Sequence, residues 1–242
     1  MYLGSNRILP EIEGVFPLLG GEDDRWGYTT LQNIKKIDTE YILFIQEDFL
    51  LEEMVSTEVI DMVLTALVEC GGHCVRLNDS FMKKHSRNPW RLIENPPGES
   101  FRVSLQSSIW KKDTLLSLIL ENETPWQFEI QGTKRAERLV HGFYMTNGRS
   151  LSYYFGGAVN HGELMLNFYA WMKKMKIYND PKHLMTQRRF LDLFFWYAVY
   201  DKIPFQTILP KDRIRQLEAL SANKFERVKN FLAGILASHF LQ

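Results

Sequence analysis

Two rhythms of apolar and polar residues alternate along the chain. Short apolar runs closed by glycine or small polar residues predict strands at Met1–Leu3, Val15–Leu19, Tyr41–Ile45, His73–Leu77 and Phe101–Ile109. Apolar positions three and four apart predict helices through Leu31, Ile34 and Ile37, with Asp24 as the cap, then over residues 54–69 and from Lys111 to Leu120. The Tyr41–Ile45 run is continuous, the pattern of a strand covered on both faces. Together these segments predict an α/β domain with a mostly parallel sheet. In that architecture ligands bind beyond the carboxyl ends of the strands.

From Leu164 the rhythm becomes helical. Leu164, Phe168, Trp171, Met172 and Met175 share one helical face, as do Phe225, Val228, Leu232, Ile235 and Leu236, and Pro181, Pro204 and Pro210 divide the stretch. The expected organisation is an α/β core over residues 1–163 and a helical appendage over 164–242. The Arg-punctuated aromatic segment Gln187–Tyr200 suits either packing on the core or resting on a membrane surface.

Composition narrows the function classes. The 242 residues hold 29 Lys+Arg and 29 Asp+Glu, so there is no global basic field to attract nucleic acid. The two cysteines, Cys70 and Cys74, have no further ligands at metal-binding spacing and read as reduced structural thiols. No basic-then-apolar signal segment opens the sequence, and the longest strongly apolar run, Leu193–Tyr200, is too short for a bilayer. The expected location is cytoplasmic, with the C-terminal helices able to touch the inner face of the membrane.

Candidate chemistry begins at the end of YILFIQEDFLL (Tyr41–Leu51), where Glu47 and Asp48 follow an apolar strand. Two adjacent carboxylates at such a place lose hydration and repel each other unless a cation neutralises them. Mg²⁺ or Mn²⁺, which favour oxygen ligands and accept carboxylates beside phosphates, would do so. The alternative is a strand that ends in solvent, with the pair capping the next helix.

Two later segments carry further polar groups. In PWQFEIQGTKRAERL (Pro125–Leu139), Glu129 follows Trp126 and Phe128, and Lys134 and Arg135 lie just beyond Gly132. A carboxylate among aromatics beside a basic helix start suits a general base next to a phosphate clamp; a core aromatic pair with a solvated charged helix fits the same residues. In YYFGGAVNHGEL (Tyr153–Leu164), His161 sits in a glycine-rich loop, where imidazole suits a metal or simply faces solvent.

GGEDDRWGYTTLQNI, YILFIQEDFLL, RVSLQSSIWKKDTLLSLI and PWQFEIQGTKRAE together resemble bacterial glycosyltransferases of the A-type (GT-A) fold, the kind associated with surface polysaccharide. The resemblance covers residues 1–165 and implies a nucleotide-diphospho-sugar transferase-like sheet. It implies a metal, Mn²⁺ or Mg²⁺, on Asp48, Glu47 and His161, and Glu129 as the base that activates the acceptor. It places donor contacts at Asp23, Asp24 and Trp26; Arg76, ending a strand on the same side, could reach a phosphate, Lys134 or Arg135 would serve as secondary cations, and Trp126 would stack on an acceptor sugar or equally be core. The partners would be a nucleotide-sugar donor and a glycan or lipid-linked acceptor. One base opposite the leaving group would give inversion; a second well-placed carboxylate would give retention.

The sequence departs from that pattern at Gln46-Glu47-Asp48, which replaces a strict Asp-x-Asp. The pattern also places a strand and helix before the segment matched by Met1–Leu3, so the chain as given is expected to bind donor poorly. Two rival classes follow. A non-catalytic relic of the fold would act as an interaction protein. A metal-dependent phosphohydrolase or nucleotidyltransferase would also use strand-end carboxylates, but its usual Asp-x-Asp nucleophile or glycine-rich phosphate loop is absent.

Overall fold

The computed structural model describes residues 1–5, 11–21, 25–49, 51, 54–77, 90–99, 101–148, 150–151, 153, 158–160, 163–176, 184–186 and 189. The chain falls into two compact units, Met1–Gln46 with Val55–Leu151, and Glu47–Met54 with Ser152–Gln242.

In the first unit, β1 (Tyr2–Ser5) pairs in parallel with β2 (Phe16–Leu19) as a separate two-stranded sheet. Helix α1 (Trp26–Lys35) follows. Asp24, its expected cap, lies outside the described residues; the helix starts after Arg25, which supplies no side-chain cap. Its first amides are satisfied from across the unit instead, Gly27 N donating to Glu123 O at 3.1 Å and Tyr28 N to Glu121 O at 3.0 Å. Only glycine allows that approach, because a Cβ at Gly27 would lie 2.1 Å from the Leu120 carbonyl oxygen.

Strand β3 (Tyr41–Phe44) leads, after the excursion through the second unit, into α2 (Thr57–Glu69). The Ser56 hydroxyl caps α2 by accepting from Val59 N at 3.3 Å, and Val63 and Leu67, four apart, are fully buried. Gly71, at φ +63, ends the helix in the left-handed conformation. Then come β4 (Cys74–Arg76), β5 (Leu92–Glu94), β6 (Ser108–Lys111) and α3 (Lys112–Leu118). A continuous helical stretch follows: α4 (Pro125–Gln127), a π-helical turn at Phe128–Gly132 and α5 (Thr133–Ala136). Strand β7 (Phe143–Thr146) completes the unit.

The five-stranded sheet has the order β3-β6-β4-β7-β5. Only β4 and β7 run parallel; β3/β6, β4/β6 and β5/β7 are antiparallel. The fold is α/β as expected, but the sheet is mixed, not mostly parallel. Burial explains the difference. The interior strand β6 is covered on both faces, and such a strand is apolar whichever way its neighbours run. On one side of the sheet, Trp110 of β6 meets Phe143 of β7 edge-on, their ring centroids 6.1 Å apart, within a core that includes Leu31, Leu115 and Phe128.

The expected strand Phe101–Ile109 begins only at Ser108. The preceding residues do not donate to a ladder: Val103 N donates to Thr133 Oγ1, Leu105 N to Glu129 Oε1 and Gln106 N to Ser104 Oγ. Arg102 anchors this irregular segment. Its buried guanidinium donates to the carbonyls of Asn95, Ala136, Leu139 and Val140 and lies 4.2 Å from the centre of the Phe143 ring. Four carbonyls offset the loss of hydration that would otherwise expel a buried charge.

In the second unit, Phe49 stacks on Tyr153 with ring centroids 4.6 Å apart, and Leu51 bridges Tyr153 in antiparallel sense. The short strands β8 (Val159–Asn160) and β9 (Glu163–Leu164) form a hairpin, followed by α6 (Leu166–Lys174). Ala158, Met165, Phe168 and Met185 form its core. The helical appendage expected beyond α6, including Gln187–Tyr200, falls almost wholly outside the described residues. Among the described residues no helix is long and apolar enough to cross a membrane.

Candidate functional site

Glu129 sits inside the π-helical turn, an insertion in helical geometry often found at functional positions. Its Oε1 accepts two hydrogen bonds, from Leu105 N at 2.8 Å and from Ser104 Oγ at 3.0 Å. No donor among the described residues reaches Oε2. Burial raises the proton affinity of this carboxyl; the two hydrogen bonds, and then the charge of Arg76, oppose that rise without cancelling it. The result is a fixed carboxylate, one oxygen anchored and the other without a donor among the described residues, that holds a proton more readily than an ordinary glutamate.

The irregular 101–107 segment and the helix therefore define this place jointly. Thr133 ties them together, donating to Glu129 O at 2.7 Å and accepting from Val103 N at 3.1 Å. Arg76, at the end of β4, reaches the Met145 sulfur at 3.8 Å, and its positive charge is felt at Glu129. Ser107, just before β6, has a buried hydroxyl with no partner among the described residues. Sequence reading missed Ser104, whose signal was a small hydroxyl residue alternating with Val103 and Leu105 in a segment taken for a strand.

The other residues of this stretch are placed as follows. Lys134 is exposed. Arg135 is engaged within the fold: it forms a bidentate pair with Glu123 at 2.7 and 2.6 Å, and its Nε donates to Leu118 O at 2.9 Å. The expected helix start near Lys134 is absent, because the helix runs unbroken from Thr124, which closes a capping box with Gln127. Trp26 packs on Phe128 at 5.5 Å between ring centroids. Trp126 is 60% exposed, so it is not core.

The second unit holds the acidic pair. Asp48 Oδ1 is buried without a hydrogen-bond partner among the described residues. Burial, and next the adjacent Glu47 charge, push the Asp48 carboxyl up to about 6, with its own backbone amide acting the other way. The helix-capping alternative does not hold, since Ser56 caps α2. The Asp48 carbonyl accepts from Ala158 N at 2.6 Å, which ties the acidic turn to the β8–β9 hairpin. His161, between those strands, lies outside the described residues.

Glu163, on β9, adds a second carboxylate whose Oε2 is buried without a partner while Oε1 accepts from Arg189 at 2.8 Å. Oxygen donors of this kind, short of hydrogen bonds, suit a hard divalent cation. Among the described residues, however, no three His, Cys, Asp or Glu side chains are grouped to hold one.

Comparison with protein-family models, curated proteins and solved structures finds no match to this chain. The functional reading rests on the residues themselves.

Proposed function

We propose that this chain is a glycosyltransferase that moves a sugar from a nucleotide-sugar donor to a hydroxyl of a glycan or lipid-linked acceptor. The observation that carries the reading is the Glu129 carboxylate, desolvated and anchored through Oε1 by Leu105 N and Ser104 Oγ. An acceptor hydroxyl is a weak nucleophile, and a positioned carboxylate of raised basicity removes its proton as the new bond forms. Oε2, which has no donor among the described residues, would take the proton of that hydroxyl, and the Oε1 bonds hold the carboxylate in place while it acts. With Glu129 as the sole base, the reaction is a single displacement with inversion.

Asp48 and Glu47, with His161, would hold Mg²⁺ or Mn²⁺ in the same reading. Such an ion, when bound, neutralises the charge that grows on a departing diphosphate. The acidic pair supports this assignment because two crowded carboxylates, one with an orphaned buried oxygen, favour an added positive charge.

The test is Glu129→Gln in the full chain, with a panel of UDP-, GDP- and TDP-sugars. Protection of the variant by donor and Mn²⁺ against thermal unfolding should match that of the native protein. Transfer should fall by about 10²–10⁴-fold, the usual share of a general base. Equal loss of protection and transfer would make Glu129 a structural residue.

One observation favours a second reading, a binding protein built on the same fold. Strands β1 and β2 pair only with each other among the described residues and do not join the five-stranded sheet. Protection by UDP or GDP with Mn²⁺ would count against that reading; its absence across the panel would favour it.

A further inference from the structure

Arg76 ends β4 on the face of the sheet that carries Glu129. Side chains alternate along a strand, so Arg76 shares a face with Cys74. Cys74 packs in one core with Trp110, Phe143, Leu105 and Phe128, the residue before Glu129. In the ladder Arg76 pairs with Ser108 on one side and Met145 on the other, and its guanidinium meets the Met145 sulfur at 3.8 Å.

A short bend joins this rung to the carboxylate. Leu105 N and Ser104 Oγ donate to Glu129 Oε1, Gln106 N donates to Ser104 Oγ, and Ser108 Oγ donates to Gln106 O. Leu77 N, next to Arg76, donates to Ser107 O at 2.9 Å. The bend at 104–107 is thus tied at one end to the carboxylate and at the other to the strand end that bears Arg76. Both groups are half-buried, so each keeps some surface toward solvent.

The other cations of these elements are engaged elsewhere or screened. Arg102 donates to four carbonyls, Arg135 is paired with Glu123, and Lys134 is exposed. Of the charged groups, Arg76 acts most on Glu129, and it opposes the rise in proton affinity that burial causes. A guanidinium in that position keeps a carboxylate ionised but makes it a weaker base. An anion seated on the guanidinium cancels part of its charge and gives the base strength back. A planar guanidinium at the carboxyl end of the parallel strands β4 and β7 suits a phosphate group, which it can hold by two N–H···O bonds.

We propose that Arg76 links the two substrates of one site: a diphosphate held by its guanidinium strengthens Glu129 as the base for the acceptor. The choice of a diphosphate rests on the sugar-transfer reading; the link rests on the shared sheet face and the 104–107 bend. Activation of the acceptor then waits for the donor, because the base reaches full strength only with the anion in place.

The experiment is a ¹³C NMR titration of the Glu129 carboxyl in the full chain, with and without inorganic pyrophosphate, ionic strength being matched with potassium chloride. Pyrophosphate should raise the native midpoint by about one pH unit, the lower end of what a neighbouring charge achieves. Arg76→Gln should raise it by about as much without pyrophosphate, and should not respond when pyrophosphate is added. Arg76→Lys keeps the charge but not the fork, so it should titrate near the native value and respond only at higher pyrophosphate. The proposal is overturned if pyrophosphate leaves the native midpoint in place or if Arg76→Gln still responds. It is equally overturned if Arg76→Lys titrates like Arg76→Gln, which would make the contribution one of packing and not of charge. Coupling without transfer from any nucleotide-sugar would sink the catalytic reading and leave the link standing. Transfer that collapses in Glu129→Gln, with no response to pyrophosphate, would sink the link alone.

Discussion

Glu129 and Asp48 are both carboxylates withdrawn from water, one in each compact unit, and the fold treats them in opposite ways. Glu129 has a backbone amide and a hydroxyl on one oxygen, so its raised proton affinity is tempered from within. Asp48 has an orphaned oxygen and a like charge next to it, and only its own backbone amide opposes the rise to about 6. Desolvation is common to both; what differs is where the remedy comes from. A carboxylate held by donors on one oxygen is ready to exchange a proton, whereas one with a buried oxygen left unmet beside a like charge is ready to take a cation.

The largest effect expected is the collapse of transfer in Glu129→Gln. Its pH dependence sharpens the contrast. A base must be ionised to act, so the acidic limb of the transfer rate should lie above the range of an ordinary glutamate, displaced in the direction of its raised proton affinity. The sign for stability follows from linkage. A carboxyl that holds its proton more tightly when folded stabilises the fold fully below its unfolded value. That contribution is lost as pH rises through the folded value. Glu129→Gln should therefore flatten this part of the stability profile, as read by thermal unfolding across pH.

Ser104→Ala comes next. It removes one donor from Oε1 and leaves the amide of Leu105 in place. A loss of about 1–3 kcal/mol, the range for a hydrogen bond to a charged group or a buried partner left unmet, should appear in urea unfolding. The acidic limb of transfer should move further upward. An unchanged limb would mean that Ser104 does not tune the base.

Asp48→Asn should go the other way. Without divalent ions at pH 7 it should raise the melting temperature by about 2–4 °C, the equivalent of about 1 kcal/mol once solvent screening is allowed for. A folded value of about 6 against the ordinary 3.8 means that the native carboxylate costs stability above pH 6 and costs nothing below about pH 4. The gain should therefore vanish in acid, and stabilisation of the native chain by Mn²⁺ should vanish in the variant.

Much of this contrast could be read from residue order, and the rest could not, for definite reasons. The YILF run and the helical spacing of Val63 and Leu67 locate β3 and α2, because burial on one or both faces leaves a periodic trace. Strand direction leaves none, which is why the mixed sheet escaped. Strands β5 and β7, with three and four residues, are too short to impose a period. The 101–107 segment imitates a strand by its alternation, yet its amides go to side chains on a helix more than twenty positions ahead. Glu129 stood out through its aromatic neighbours. Its partner Ser104 did not, because a tertiary hydrogen bond between residues 25 apart has no local signature.

The most direct test follows both carboxyls in one experiment, a ¹³C NMR titration of Glu129 and Asp48 with and without Mg²⁺. In the absence of the ion, both should titrate above their ordinary values, Asp48 near 6. Saturating Mg²⁺ should pull the Asp48 midpoint down and leave that of Glu129 where it was. An Asp48 that titrates near 3.8 without metal, or one that ignores Mg²⁺, would contradict the account.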